Sequence, residues 1–423
     1  MSDTEGQPRR RASLVLGVLL IAYIFNFLDR QILGILAGSI IADLKLTDAQ
    51  FGTIGGLAFA LLYSLLGIPL ALLADATRRS WVVAGSLAVW SGFTALCGSA
   101  VGFGQLFLYR LGVGVGEAGG VAPSYALIAD YFPPERRARA IATFSLGIPL
   151  GLAGGTLIGA YLAALVNWRA AFIAMGVAGI ILAPLMLIFV RDVPRDERAV
   201  SERTPLTRTF AIVARKRSFW LMALASSCSS LAGYGLAVWT PSVLERSFGL
   251  SLIARGQFLA SLFLIGGVTG VYAGGWFADR LGRGDRRWYG WLPAIAWLVT
   301  APTFALGLMS GNAPLAWLLL LVPNALNILW LGPVATAVQH LVPRPMRSTA
   351  SASFLLINNL IGLGLGPTLI GALSTAFKGR FGTEALRYAA VSVVGFYLLA
   401  TILMLAAVKS LRSDWVEDDI QVS

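Results

Sequence analysis

The chain has 423 residues, 57% of them hydrophobic and 13% charged, with a mean hydropathy of +0.75. That is too little charge to coat a water-soluble protein of this size, so composition excludes an ordinary soluble domain and indicates an integral membrane protein. A formal net charge of +12 would suit nucleic acid, but the basic residues gather in short clusters between long apolar runs, as in loops facing the cytoplasm. No nucleic-acid partner is expected.

A membrane-spanning helix needs about 20 mostly apolar residues. In chain order such stretches fall near 13–42, 51–74, 81–103, 105–131, 140–165, 168–190, 218–244, 252–278, 288–309, 313–340, 349–377 and 387–408. They are continuous rather than alternating, which predicts an all-α protein with twelve transmembrane helices and not a β-barrel. The first run is too long for a signal-peptide core and has no small-residue cleavage site, so it reads as an uncleaved span. With the N-terminus inside, the inner segments hold 24 Lys and Arg and the outer segments 7, while Arg30 and Arg110 lie within spans. This split predicts a multi-pass cell-membrane protein with both termini cytoplasmic.

The longest connection divides the chain into a six-helix bundle at 1–190, a cytoplasmic linker at 191–217, a second bundle at 218–408 and a cytoplasmic tail at 409–423. The end of the linker, LTRTFAIVARKR at 206–217, fits a basic amphipathic helix on the membrane surface and a solvated linker equally well. The acidic DWVEDDIQVS at 414–423 reads as disordered. Cys97 and Cys228 lie in apolar segments without CxxC spacing, so packing is their expected role, with no metal and no cofactor. GVGEAG at 114–119 matches a nucleotide-loop pattern, but no strand precedes it, so its glycines read as helix packing.

The halves repeat. LLADATRRS follows the second span and GWFADRLGR the eighth, placing Asp75 and Asp279 204 residues apart; Arg137 and Arg347 lie 210 apart, and Pro149 and Pro367 218 apart. Order and near-constant offset together indicate a parallel duplication of six-helix halves.

GGWFADRLGR at 274–283 resembles the Gly-x-x-x-Asp-Arg-x-Gly-Arg loop signature of the major facilitator superfamily. The six-plus-six layout resembles that superfamily throughout. The first-half copy departs at Ala71, Ala76 and Arg78, while Asp75 and Arg79 remain. NFLDRQI in the first span, YRLGVGVGEAGGVAPSYALIADYFPPERRARA at 109–140 and GYGLAVWTPSVL in the seventh span are similar to the spinster-like branch. That resemblance implies two pseudo-symmetric bundles around a cavity lined by the first and fourth spans. It also implies sphingolipid or lysophospholipid substrates.

Four charged side chains lie well inside spans: Asp29 and Arg30 in the first, Arg110 and Glu117 in the fourth. At about 2.5–3.5 kcal/mol each, leaving them unpaired would cost about 10–14 kcal/mol, comparable to a domain's whole stability. Their charges cancel. The expectation is a cluster in which Asp29 meets one arginine and Glu117 meets the other or a proton. It serves either as an ion-pair network that fixes helix register or as a coupling site. In the second case Glu117, with Asp29 behind it, carries a proton as the cavity switches, and Asp29, Arg30, Arg110 and Glu117 contact a solute's head group.

The second half is bare of charge from Trp288 to Pro343. Its amides and aromatics, Trp239, Asn324, Asn327, Trp330 and Asn358, are candidates for an apolar wall against the solute's tail. Asp75, Arg79, Asp279, Arg280 and Arg283, at inner span ends, are candidates for a cytoplasmic gate. Together these readings predict an alternating-access secondary transporter. It is proton-coupled, probes its solute through an amphipathic cavity, and works as a monomer among membrane lipids. The alternatives are a lipid-binding receptor or scaffold and a transporter of a small polar or drug-like solute. An enzyme is disfavoured, because no nucleophile–base or metal constellation stands out.

Overall fold

Within a bilayer every backbone N–H and C=O must be paired inside the protein, so long apolar runs have to close into helices. The computed structural model describes residues 6–193, 206–270, 272–273, 280, 285–327, 329–343 and 346–416, and among these every regular element is a helix. Ten segments are long and apolar enough to cross a membrane. One of them, Thr349–Asp414, holds two helices that turn back at Gly382–Glu384. A further crossing, Phe103–Glu117 with Val121–Tyr131, is interrupted at its centre. Among the described residues the crossings are therefore twelve. The first six are Gly6–Ile35, Asp48–Ala76, Arg79–Cys97, the interrupted pair, Pro134–Leu165 and Trp168–Phe189. The second six are Arg217–Arg246, Leu252–Gly270, Trp288–Met309, Ala313–Gln339, Arg347–Phe381 and Ala385–Asp414.

The end at which Gly6 and Asp414 lie is called basal here, the opposite end apical. Four of the helices that start at the apical end carry neutral side-chain caps: Thr47 in a full capping box with Gln50, then Asn167, Ser251 and Asn312. Each accepts one of the backbone N–H groups left unpaired in a first turn. Helices that start at the basal end follow Arg78, Lys216 and Arg287 with no side-chain cap. Among the described residues, basic residues precede several helices at the basal end.

Within each half, glycine stripes set the packing. Gly147, Gly151, Gly155 and Gly159 recur every fourth residue on the fifth span and press against Tyr23, Phe27, Leu28 and Ile32 of the first. A Cβ at Gly151 would stand 2.5 Å from the Ile24 carbonyl oxygen, so only glycine permits this approach. In the second half Gly362 and Gly366 of the eleventh span meet Ser230 and Leu231 of the seventh.

The halves meet at the apical end along three seams. The second span touches the eleventh at Gly52, Gly56 and Gly371; the first, with the short helix Ala37–Leu44 that follows it, touches the seventh at Gly34 and Gly38; the fifth touches the eighth at Gly256 and Gly267. Toward the basal end the segments Val121–Tyr131, Pro134–Ser145 and Leu331–Gln339 pack within their own halves. Among the described residues the arrangement is a wedge, shut apically and parted basally.

Leu206–Val213 is a short helix that buries Val213 and exposes Phe210, which sits edge-on to Trp220 with ring centroids 6.4 Å apart. The expected tail disorder needs correction at its start. Trp415 stacks on His340 (4.5 Å) and Tyr289 (5.7 Å), the Val416 N–H donates to the His340 carbonyl (2.7 Å), and Asp414 accepts from the Ser218 hydroxyl (2.6 Å). The rest of the tail, 417–423, lies outside the described residues.

Candidate functional site

The four intramembrane charges gather just below the apical seams. Arg30 follows Phe27 on the first span and lies one turn, about 6 Å, below Gly34, whose Cβ position is 3.0 Å from the Val238 carbonyl oxygen. Its Nε donates to Glu117 Oε2 at 2.7 Å, and Glu117 is fully buried. The guanidinium carbon also faces three rings, Phe27 at 5.1 Å, Phe59 at 4.9 Å and Tyr63 at 4.8 Å. Arg110 approaches Phe59 as well, at 5.2 Å, so one aromatic ring of the second span serves two guanidinium groups. Ring faces carry negative potential and suit cations that have left water.

Asp29 and Arg30 are adjacent, yet they face different neighbours. Consecutive helix residues are turned by about 100°. Arg30 therefore meets the second and fourth spans, while the Asp29 carboxylate accepts a hydrogen bond from the Thr94 hydroxyl of the third. The other Asp29 oxygen has no hydrogen-bond partner. Beside it lies a cavity of about 10 Å³, lined by Phe25, Leu28, Trp90, Ser91, Thr94, Met175 and Gly176, room for roughly one water molecule. Arg110 is buried, with its Nε and one Nη unpaired. The direct ion pair in this cluster is thus Arg30 with Glu117. Asp29 accepts from a hydroxyl instead of joining an arginine at bonding distance, because helix rotation points it at the third and sixth spans.

Glu117 ends its helix. The next three residues form tight turns, with Ala118, Gly119 and Gly120 N–H groups reaching the carbonyls of Gly114, Gly116 and Glu117 at 3.1–3.3 Å. The glycines serve as spacers: a Cβ at Gly116 would meet the Trp90 backbone nitrogen at 2.4 Å, and one at Gly114 the Phe59 carbonyl oxygen at 2.4 Å.

The second-half candidates divide. Trp330 is buried against Trp297 (6.3 Å) and Phe354 (6.5 Å). Asn358 accepts from the Ser230 hydroxyl at 2.9 Å, Asn327 accepts from the Tyr397 hydroxyl at 3.3 Å, and the Asn324 amide donates to the Leu320 carbonyl at 2.8 Å. Trp239 is displaced from the expected wall. It is wholly buried in the apical seam, donating to the Pro367 carbonyl (2.9 Å) and lying edge-on to Phe51 (5.3 Å), because its helix face turns toward the opposite half at that level.

Of the gate candidates, Arg79 bonds Asp75 at 2.9 Å and Asp130 at 2.6 Å, all within the first half. Arg280 is exposed, and Asp279 and Arg283 lie outside the described residues. Phe27, Phe59, Tyr63, Thr94 and Asp130 escaped the sequence reading. Phe27, one turn before Arg30, left a usable signal; Thr94 left none, being a hydroxyl in an apolar run.

Twelve crossings in two six-helix halves around a charged apex define a secondary-transporter architecture. The sequence matches the family model of the Major Facilitator Superfamily over residues 19–367. It is 34% identical over 422 residues to an "MFS-type efflux pump" of Mycolicibacterium smegmatis, covering 98% of both chains, and 28% identical to human "Protein spinster homolog 1", covering 89% of this chain and 76% of that one. A crystal structure of a bacterial homologue of the human lysosomal transporter Spinster, inward-facing and unoccupied, superposes with a TM-score of 0.85 at 26% identity, over 96% of this chain and 99% of that one. The chain belongs to the major facilitator superfamily and is spinster-like within it. It is accordingly a multi-pass membrane transporter and not an enzyme.

Proposed function

We propose that the chain is a proton-coupled secondary transporter working by alternating access, and that its solute is amphipathic and lipid-like, a lysophospholipid or a sphingolipid. The observation that carries this reading is the Arg30–Glu117 pair, at 2.7 Å with a fully buried carboxylate, set where the basal opening ends. While Glu117 is ionised it holds the guanidinium. A proton on Glu117 removes that Coulombic hold and frees Arg30 for the solute's anionic group; loss of the proton restores the pair and expels the solute. Asp29 and Arg110 balance the site's charge. Asn324, Asn327, Trp330, Asn358 and their aromatic neighbours supply the opposite, uncharged wall.

The bias of 24 to 7 basic residues supports a cytoplasmic basal end with both termini inside; on this reading the state is inward-facing, and the protein works as a monomer in the cell membrane. Asp75, Arg79, Asp279, Arg280 and Arg283 form the gate that closes the basal end in the opposite state. The bundles 1–190 and 218–408 then move as the two rocking halves, joined by the linker 191–217.

A second reading has one observation in its favour. The relative sharing 34% identity is named an efflux pump, which suits a drug-like solute expelled from the cell. Both readings are tested in proteoliposomes loaded in parallel with a lysolipid, a sphingoid lipid, a sugar and a cationic dye, with and without a pH gradient. The proposal expects gradient-dependent movement of a lipid, abolished by Glu117→Gln in folded protein. Dye movement without lipid movement selects the second reading. Unchanged proton dependence in Glu117→Gln removes the coupling role.

A further inference from the structure

The apical closure contains an ionic contact between the halves that is distinct from the charged site below it. Asp48 is the first residue of its helix and Arg246 the last residue of the seventh span. Two parallel hydrogen bonds join them, Arg246 Nη1 to Asp48 Oδ2 at 2.7 Å and Nη2 to Oδ1 at 2.8 Å. The Ser374 hydroxyl of the eleventh span donates to the same carboxylate at 2.6 Å, and the Ala49 N–H donates to Thr375 Oγ1 at 3.1 Å. Three spans from both halves therefore converge on one carboxylate.

Local structure prepares this contact. A carboxylate at a helix N-terminus and a guanidinium at a helix C-terminus are each favoured by their own helix dipole. The fork geometry adds direction that a point charge lacks. Asp48 and Arg246 keep 15% and 28% of their side-chain surface exposed, so both can re-enter water when the seam opens, and the contact is reversible rather than sealed. The other two seams are built differently. The first–seventh seam sets Gly34 against the Val238 backbone and Gly38 against the Glu245 side chain, whose carboxylate pairs with Arg255 of its own half, and the fifth–eighth seam adds an exposed contact from the Gln257 amide to the Tyr161 hydroxyl at 2.9 Å.

We propose that Asp48, Arg246 and Ser374 are positioning residues that clasp the second, seventh and eleventh spans, and that their release sets how readily the apical end opens. The clasp rests on the alternating-access reading, and the following experiment separates failure of one from failure of the other. Ala60 is fully buried and faces Gly364 across the same seam, 3.4 Å from the Cβ position there. In a Cys97→Ser, Cys228→Ser background, Ala60→Cys is a reporter for a membrane-impermeant maleimide applied from the apical side of sealed vesicles. Asp48→Asn and Arg246→Gln should each raise the labelling rate about tenfold, equivalent to about 1.4 kcal/mol, and Ser374→Ala by less. The double variant Asp48→Asn/Arg246→Gln should open no further than either single, because the two changes remove one interaction.

Gly52→Trp supplies the steric reference, since even a Cβ at that site would stand 2.4 Å from the Pro367 carbonyl oxygen and the eleventh span must yield. If Gly52→Trp exposes the reporter and the clasp variants do not, the clasp is refuted and alternating access stands. If no variant exposes it, both are refuted. Labelling gains that add in the double variant refute the pairing.

Discussion

Arg30→Ala isolates what the buried pair contributes. The substitution leaves Glu117, fully shielded from solvent, without its 2.7 Å partner. Truncating one member of a buried pair costs about 3–5 kcal/mol, mostly because a charge is stranded in a poor solvent. Loss of the contacts to Phe27, Phe59 and Tyr63, at 4.8–5.1 Å, adds to that, each being worth about 0.5–2 kcal/mol. Arg110 remains nearby and offsets part of the loss, so about 3–5 kcal/mol is expected overall. Arg30→Ala/Glu117→Gln removes the stranded charge and should recover about 2 kcal/mol, within the coupling range for residues in contact. Thermal unfolding at one scan rate in lipid nanodiscs reads the order, since unfolding of such a protein is governed by rate. Wild type should melt highest, then Glu117→Gln, then the double variant, then Arg30→Ala. An Arg30→Ala protein that melts at or above the double variant would show that Glu117 is not held as an ionised partner of Arg30.

Three further outcomes are expected. Thr94→Val keeps the side chain's shape but strands the Asp29 oxygen that now accepts its hydroxyl, so it should cost about 1–3 kcal/mol, with Thr94→Ser retaining most of the stability in the same melts. Gly116→Ala sets a methyl group 2.4 Å from a backbone nitrogen that cannot step aside and should lose at least about 1–3 kcal/mol; Gly104→Ala, in open space on the same helix, should be neutral or gain up to about 1 kcal/mol. At the basal surface the Arg287 backbone N–H, with Arg412 beyond it, holds the Asp285 carboxyl below its usual range. A depressed folded value means stabilisation that is present above the unfolded value and lost as pH falls through the folded one. Asp285→Asn should therefore lower the melting temperature at neutral pH and leave it unchanged in strong acid; equal effects at both would refute the assignment.

Hydropathy reveals crossings because burial in lipid demands apolar length, and twelve runs were visible for that reason. It is silent on rotation about each helix axis. Asp29 and Arg30, neighbours in sequence, went to separate partners, and Trp239 turned from a cavity wall into a seam. The gathering of Arg30, Arg110 and Glu117 was legible because isolated charges in lipid are too costly to leave apart. The clasp was not: Asp48 and Arg246 sit at span ends, where the sequence offers no reason to distinguish them from ordinary loop charges. The glycines at the centre of the fourth crossing pack closely, as their pattern in the sequence indicates. The interruption falls at the consecutive glycines Gly119 and Gly120, each of which disfavours a continuous helix by about 1 kcal/mol relative to alanine.

That interruption gives the fourth crossing two rigid arms with a joint at Glu117. One arm bears Arg110; the other runs from Val121 to Tyr131 and carries Asp130, tied to Arg79 at 2.6 Å. From Val121 to Asp130 the lever measures about 14 Å, so a tilt of about 10° at the joint sweeps its tip through about 2 Å. A tilt of that size at the joint would be enlarged into a displacement wide enough to uncouple the Arg79–Asp130 contact at the basal end.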